Sequence, residues 1–297
     1  MTTRQQRINY CVLSEEKDLN LSGCDITDLS EVRDLTHLTH LDLENNAIQD
    51  LSPLSDLINL THLKLNNNLL TDIQPLEALV NLKVLYLSRN QISDLSALRS
   101  LTQLEQLYIG SNLVSDLRPL SGLVYLQSFY AKRNQISDLS PLSKLFRLKE
   151  LYLWDNNITS IAPLSGLSNL HTLFLRDNQI SDITPLSSLN RLGHLDICCN
   201  LISNLSAVLP LLKKQMRILY KKNYSGNCIA VAGNPLDPSV IEAIKAGNQA
   251  FIEYCEKTMC KDLIQSKIVP MLPMYAPPQR ARLRVVRDDF LGAVRVL

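Results

Sequence analysis

The sequence is short of several things at once. Its 297 residues include 9 glycines and 13 prolines, too few for a collagen-like or low-complexity chain. Aromatic residues make up 5%, with one tryptophan. A charge excess is missing too: 30 basic residues stand against 29 acidic ones. Without a basic surplus the chain lacks the electrostatic footprint of non-specific nucleic-acid or anionic-membrane binding, and neither partner is expected. No stretch reaches the ~18 apolar residues of a membrane span. The opening segment MTTRQQRINYCVLSEEKD has basic residues with no apolar run behind them, so it does not read as a secretory signal. The 45% of hydrophobic residues and 20% of charged ones exclude a disordered chain.

The seven cysteines, Cys11, Cys24, Cys198, Cys199, Cys228, Cys255 and Cys260, have neither the spacing of a disulfide framework nor that of a paired Cys-x-x-Cys zinc site. Reduced thiols in a cytosol are the simplest reading.

What is abundant is self-similarity. From Asp28 the chain can be cut every 22 residues without a gap, from DLSEVRDLTHLTHLDLENNAIQ and DLSPLSDLINLTHLKLNNNLLT through to DITPLSSLNRLGHLDICCNLIS, and eight copies fill residues 28–203. Each carries Leu-x-x-Leu-x-Leu-x-x-Asn-x-Ile or a close variant, the signature of leucine-rich repeats, in which a short strand is followed by a turn and a returning convex segment. The fifth copy departs most, with Phe129 and Ala131 at the two inner leucine positions, an exchange of a larger for a smaller apolar group that keeps the core filled. The expected fold is an α/β leucine-rich-repeat solenoid with a parallel concave sheet, short convex helical or 3-10 segments and helical caps at both ends.

The repeat length and spelling resemble the 22-residue class found in bacterial internalins and in the eukaryotic nuclear regulator of type 1 protein phosphatase. They also resemble the leucine-rich-repeat effectors of intracellular bacteria such as Legionella. Unlike internalins, the chain shows no secretion signal or wall anchor and is not cysteine-poor. A substrate of a specialised secretion system reconciles these departures, so the expected location is the bacterial cytoplasm and then the host cytosol, by a route independent of a signal peptide and read from the C-terminal tail.

The asparagine at the nineteenth position of every copy, Asn46, Asn68, Asn90, Asn112, Asn134, Asn156, Asn178 and Asn200, recurs where the chain leaves the strand. A buried amide there must be satisfied, and neighbouring turn backbones can do so as a ladder, so these residues read as structural.

The ends depart from the period. KDLNLSGCDIT places Leu19, Leu21 and Ile26 in phase with Cys24 at the asparagine position, a degenerate first repeat within a cap of residues 1–27, whose first 17 residues are expected to supply a short covering helix. Phase is lost after Asn204 and recovered at CIAVAGNPL, where Asn234 takes the ladder position late, so 204–236 reads as an irregular last repeat with an insertion. Lys213, Lys214, Arg217, Lys221 and Lys222 make that insertion basic, and a solvated loop is its expected form. A helical C-terminal cap over 237–269 opens with Asp237 as N-cap and Pro238 at the first helical position. The segment GNPLDPSVIEAIKAGNQAFIEYC resembles the junction between leucine-rich repeats and the GTPase domain of Roco proteins, but no phosphate-binding Gly-x-x-x-x-Gly-Lys-Ser/Thr follows it. Residues 270–297, Pro-rich and then Arg-rich, read as a tail.

Side chains alternate along a strand, so the residue between the two inner leucines of each copy points away from the core. Read along the copies, this position gives Asp42, Lys64, Tyr86, Tyr108, Tyr130, Tyr152, Phe174 and Asp196. With parallel strands about 4.8 Å apart, the aromatic stretch spans about 20 Å. Neighbouring outward positions add Trp154, Lys132, Arg133, Glu150 and Arg176, with Arg89, Asp155 and Asp177. Six of the nine aromatics in the copies fall on this surface. A self-stacking ladder would account for part of the bias, but exposed aromatic patches and the enrichment of Tyr, Trp and Arg at hot spots favour a binding face.

Other constellations read as bland. His40, Asp42, Glu44 and His62 have the donor types for a metal, yet solvated polar residues on an open face suffice, and no metal or other cofactor is expected. Cys198 reads as outward-facing beside Cys199. Cys260, Lys261 and Asp262 spell the Cys-x-Asp of bacterial ubiquitin ligases that follow leucine-rich repeats, but only 35 residues remain after Asp262, too few for their catalytic domain. With no nucleophile, base and orienting group at a recognisable spacing, the expected function is non-enzymatic. A chain monomeric on its own grips one folded protein, a host protein or another bacterial effector, and occludes or recruits it. The rival readings are a phosphatase-regulator-like scaffold and an enzyme using Cys255 or Cys260.

Overall fold

In the computed structural model, which describes residues 4–212, 216–221 and 227–268 and the side chains among them up to residue 258, every 22-residue copy lays down one three-residue strand. The first strand, β1 (Asp18–Asn20), precedes the full copies. The eight that follow are β2 (His40–Asp42), β3 (His62–Lys64), β4 (Val84–Tyr86), β5 (Gln106–Tyr108), β6 (Ser128–Tyr130), β7 (Glu150–Tyr152), β8 (Thr172–Phe174) and β9 (His194–Asp196). They pair in parallel without slippage, Leu41 opposite Leu63 and Leu107 opposite Phe129. A one-residue slip would turn every leucine to solvent, so the core pins the register. The inward residue at the strand centre and the next inward one are fully buried from Leu63 and Leu65 to Leu195 and Ile197, Phe129 and Ala131 included.

The return path is convex and made of 3-10 turns, from Ser30–Val32 through Gln74–Ala78 to Ser206–Val208. Each begins with an aspartate or a substitute that accepts the backbone N–H two residues on, as Asp50 Oδ1 does from Ser52 and Asp138 Oδ1 from Ser140, both at 2.8 Å. Pro53, Pro75, Pro119, Pro141, Pro163 and Pro185 then sit in the first turn, where a fixed φ costs nothing and no N–H is needed.

At the strand ends the chain turns through a residue with positive φ, Asn45, Asn67, Arg89, Ser111, Arg133, Asp155, Asp177 or Cys199. The ladder asparagine next to it holds this conformation. Asn156 Oδ1 accepts from Ile136 N at 3.0 Å, and its Nδ2 donates to Ala131 O at 3.1 Å and Leu153 O at 3.0 Å. Asn234, displaced by the insertion, does the same work with Ile202 N, Ile197 O and Val231 O.

Helix α1 (Arg4–Ser14) packs on β1, burying Ile8 and Cys11. At the far end the basic insertion departs from the expected solvated loop. After a short helix α2 (Leu209–Leu212) it forms β10 (Arg217–Leu219), with Met216 and Ile218 buried and Arg217 and Lys221 exposed. Strand β11 (Cys228–Ala230) pairs with β9, and β10 lies outside it, so the sheet runs β9-β11-β10. Lys213, Lys214 and Lys222 lie outside the described residues.

Helix α3 (Pro238–Ala246) is capped by Asp237, whose carboxylate accepts from Ser239 N at 2.8 Å. After Gly247, helix α4 (Asn248–Ile268) begins. Asn248 acts as a late ladder residue: its side chain accepts from Ile218 N at 3.0 Å and donates to Met216 O at 2.6 Å, occupying backbone groups beside the outermost strand, which otherwise would be open to pairing with another chain. The chain divides into two units, Met1–Tyr254 and Cys255–Leu297. In the second, the described residues continue α4 to Ile268. The side chains of Cys260, Lys261 and Asp262, and the tail 270–297, lie outside the described residues.

Candidate functional site

The outward positions of the strands make three columns across the concave face. In the central column Tyr86, Tyr108, Tyr130 and Tyr152 stack face to face, with ring centroids 4.2, 4.4 and 4.2 Å apart and interplanar angles of 6°, 18° and 11°. Phe174 turns its ring and meets Tyr152 edge-on at 4.8 Å and 69°. All five rings are half-buried, on the solvent side of the sheet, not in the leucine core. The spacing is the strand repeat, so a flat ring on each strand falls into van der Waals contact with the next.

The column on one side holds His62, Val84, Gln106, Ser128 and Glu150. The tyrosine hydroxyls point to it: Tyr108 donates to Gln106 Oε1 at 3.1 Å and Tyr130 to Glu150 Oε2 at 2.6 Å. Burial first, and then in Tyr130 the bond to Glu150, push these phenols well above their ordinary value, and burial raises Tyr152 too. Tyr108 and Tyr130 therefore stay neutral donors at physiological pH.

The column on the other side reads Asn66, Ser88, Gly110, Lys132, Trp154 and Arg176. Where it shrinks to Ser88 and Gly110 it leaves a groove of about 430 Å³. One wall is the flank of Tyr108, Tyr130 and Tyr152; the other holds Arg89, Asn67 and Ser111; Trp154 lies at one end. A Cβ on Gly110 would lie 2.9 Å from Lys132 Cγ. Glycine therefore lets the Lys132 stem lie against the floor while its ammonium reaches over the Trp154 ring, 5.0 Å from the centroid. Trp154 also lies 6.1 Å from Phe174.

Each residue expected on this face can now be placed. Tyr86, Tyr108, Tyr130, Tyr152 and Phe174 form the ladder, Glu150 anchors the Tyr130 hydroxyl, and Trp154 and Lys132 line the groove. Arg133 lies exposed beside Asp155, 3.4 Å away. Arg176 is drawn to Asp196 at 2.8 Å. The groove itself was not visible in the stripe. Its signal is the small pair Ser88 and Gly110 in a column otherwise made of longer side chains.

At the C-terminal edge two outward positions are closed to solvent. Asp196, in register with Phe174, is 3% exposed and Cys198 is fully buried. Strand β11 pairs with β9 and brings Ala230 and Ala232 against Cys198, Tyr220 packs on the same cluster, and the thiol donates to Lys221 O at 3.4 Å. The insertion covers the face there. At the other edge His40 and His62 stack at 4.2 Å and His40 meets Asp18 at 2.8 Å. Among the described residues no group of three or more His, Cys, Asp or Glu could hold a metal ion.

Residues 17–56, 36–78, 58–100, 80–122, 146–187 and 168–210 match the family Leucine Rich repeats (2 copies). No curated protein sequence matches the chain. Among solved structures, it is similar to an internalin of Listeria monocytogenes at 32% identity and a TM-score of 0.62, over 76% of this chain and 69% of that one. A second Listeria monocytogenes protein, internalin C2, is similar at 31% identity and a TM-score of 0.51, over 74% of this chain and 80% of that one. A leucine-rich-repeat protein of Leptospira interrogans is similar at 27% identity with a TM-score of 0.68, over 77% of this chain and 58% of that one.

Proposed function

The chain belongs to the leucine-rich-repeat family, whose solenoids are protein-interaction modules, and on that premise we propose that its concave face binds one folded partner protein through the tyrosine ladder and the groove beside it. One observation carries this reading: Trp154, the single tryptophan, stands partly exposed outside the ladder column, at the end of a groove walled by three tyrosines. Stacking accounts for the ladder as a stabiliser of the sheet and extends to Trp154 through Tyr152 and Phe174, but it does not require an indole left partly exposed at the end of a groove. Tyr and Trp dominate binding hot spots because they bring large area with little rotamer entropy. The activity is binding without turnover, and its effect on the partner is to occlude a surface or to recruit the partner elsewhere.

The same reading makes the protein a bacterial effector that acts in the cytosol of a host cell, delivered by a route that reads residues 270–297. Its support is the similarity to internalins together with thiols that are unpaired among the described cysteines, as suits a reducing compartment. A reporter fusion that is exported equally well without residues 270–297 would end this part of the proposal.

The binding face is tested by capturing partners from host-cell lysate and then titrating the identified partner calorimetrically against variants. Trp154→Ala and Tyr152→Ala are each expected to weaken binding by about tenfold or more, the scale of a hot-spot residue, while Phe146→Ala, outside the sheet and 56% exposed, leaves it unchanged. Retention of full affinity by both concave variants would refute the assignment.

A further inference from the structure

We propose that the groove beside the ladder is a subsite for a carboxylate side chain, Asp or Glu, carried between apolar residues on an extended segment of the partner protein; this rests on the reading of the concave face as the binding surface. The chain as a whole is balanced, with 30 basic and 29 acidic residues, but the groove is not: Arg89 and Lys132 line it and no carboxylate does. Other cations of the same face are neutralised, Lys64 by Asp42 at 3.1 Å, Arg133 by Asp155 at 3.4 Å and Arg176 by Asp196 at 2.8 Å. Among the described residues neither Arg89 nor Lys132 has a carboxylate within ion-pair distance. Lys132 lies instead over Trp154, held there by the missing side chain at Gly110.

The ladder adds to the preference for an anion. Because Tyr108, Tyr130 and Tyr152 stack face to face, with the Tyr108 and Tyr130 hydroxyls on the opposite column, the flank they offer the groove is ring edge. Ring edges carry the positive part of the aromatic quadrupole, and they also pack well against aliphatic side chains. A sugar ring would need an open aromatic face, which the stacked tyrosines do not present. Arg89 follows β4 and Lys132 follows β6, so their backbones stand roughly 10 Å apart along the sheet, and both side chains line the groove. Two single cations on separate strands suit a carboxylate, which is satisfied by one or two such partners, better than a phosphate, which calls for a converging cluster.

The single tryptophan makes the test direct, since fluorescence excited at the indole reports the groove alone. The full chain is titrated with capped peptides of the form Gly-Leu-Glu-Leu-Gly, and with counterparts carrying Gln or phosphoserine at the centre. The glutamate peptide should give a saturable change that weakens as salt is raised. Glutamine in the peptide, or Arg89→Gln or Lys132→Gln in the protein, should each cut the affinity by about tenfold, with circular dichroism of both variants unchanged. Equal binding of the glutamine peptide, tenfold tighter binding of the phosphoserine peptide, unchanged affinity in both charge variants, or no saturable response to the glutamate peptide would each overturn the carboxylate subsite. Tyr152→Ala separates the two levels. If it abolishes binding of glutamate and glutamine peptides that were equally tight, the binding face stands and the subsite falls; if a saturable response survives it untouched, both fall.

Discussion

Tyr130 shows how far one residue serves stability and recognition together. Its ring lies between Tyr108 at 4.4 Å and Tyr152 at 4.2 Å, and its hydroxyl donates to Glu150 at 2.6 Å. Tyr130→Phe keeps the stack and removes the donor, and is expected to cost about 1 kcal/mol. Tyr130→Ala also empties two ring contacts of roughly 0.5–1.5 kcal/mol each and should cost about 2–4 kcal/mol in all, measured as a lower urea midpoint at constant m-value. Equal costs for the two variants would mean that stacking contributes nothing, and binding losses must be corrected for this term. The ladder asparagines are more nearly structural alone. Asn156→Leu, which strands the N–H of Ile136 in a buried site and leaves the carbonyl of Ala131 with Asn134 alone, should lose about 1–3 kcal/mol; a loss below that of an exposed substitution would contradict the ladder. The asparagine role was legible because one residue type recurs at one position. The part of Arg89 in the groove was not, because it depends on which neighbours leave it unpaired.

Among the elements, helix α3 was legible from Asp237 and Pro238, an N-cap followed by a residue whose missing N–H is no loss. Strand β10 was not. Its three residues, Arg217–Leu219, carry no periodicity, and their partner strand comes later in the chain yet sits further in. This strand and its turn explain the concealment of Cys198, whose thiol is pushed up to about 12 by burial and then by Asp196. A water-soluble thiol reagent at mildly alkaline pH should therefore modify Cys24 and Cys199, which are partly exposed, well before Cys198 and Cys228, which are buried, as followed by peptide mass spectrometry. Asn248→Ala, which frees the backbone it holds at Met216 and Ile218, should hasten labelling of Cys198. Prompt modification of Cys198 in the native chain would show that the edge is open.

Across the whole molecule, the convex turns line up a row of carboxylates with the repeat. Asp28, Asp50, Asp116, Asp138 and Asp182 are all held below the ordinary value of 3.8, chiefly by hydrogen bonds from the residue two positions on, with the Arg118 guanidinium acting on Asp116. A depressed folded pKa means that these groups stabilise the fold above 3.8 and stop doing so as pH falls through their folded values. Thermal stability should thus be level near neutrality and fall below about pH 4, and changing Asp50, Asp116 and Asp138 together to Asn should shrink that acid limb. An identical acid limb in the triple variant would assign the loss to other groups. Repeat number, strand register, the inward leucines and the aromatic stripe all follow from the 22-residue spacing, because in a quasi-one-dimensional stack each unit meets only its neighbours and local pattern translates directly into position. The groove beneath Lys132, the neutralised and unneutralised cations, and the covering of Cys198 do not follow from it. Those arise where side chains from several strands, or an insertion with no repeat to guide it, meet in space, and a contact of that kind depends on side-chain length and direction that no single period encodes.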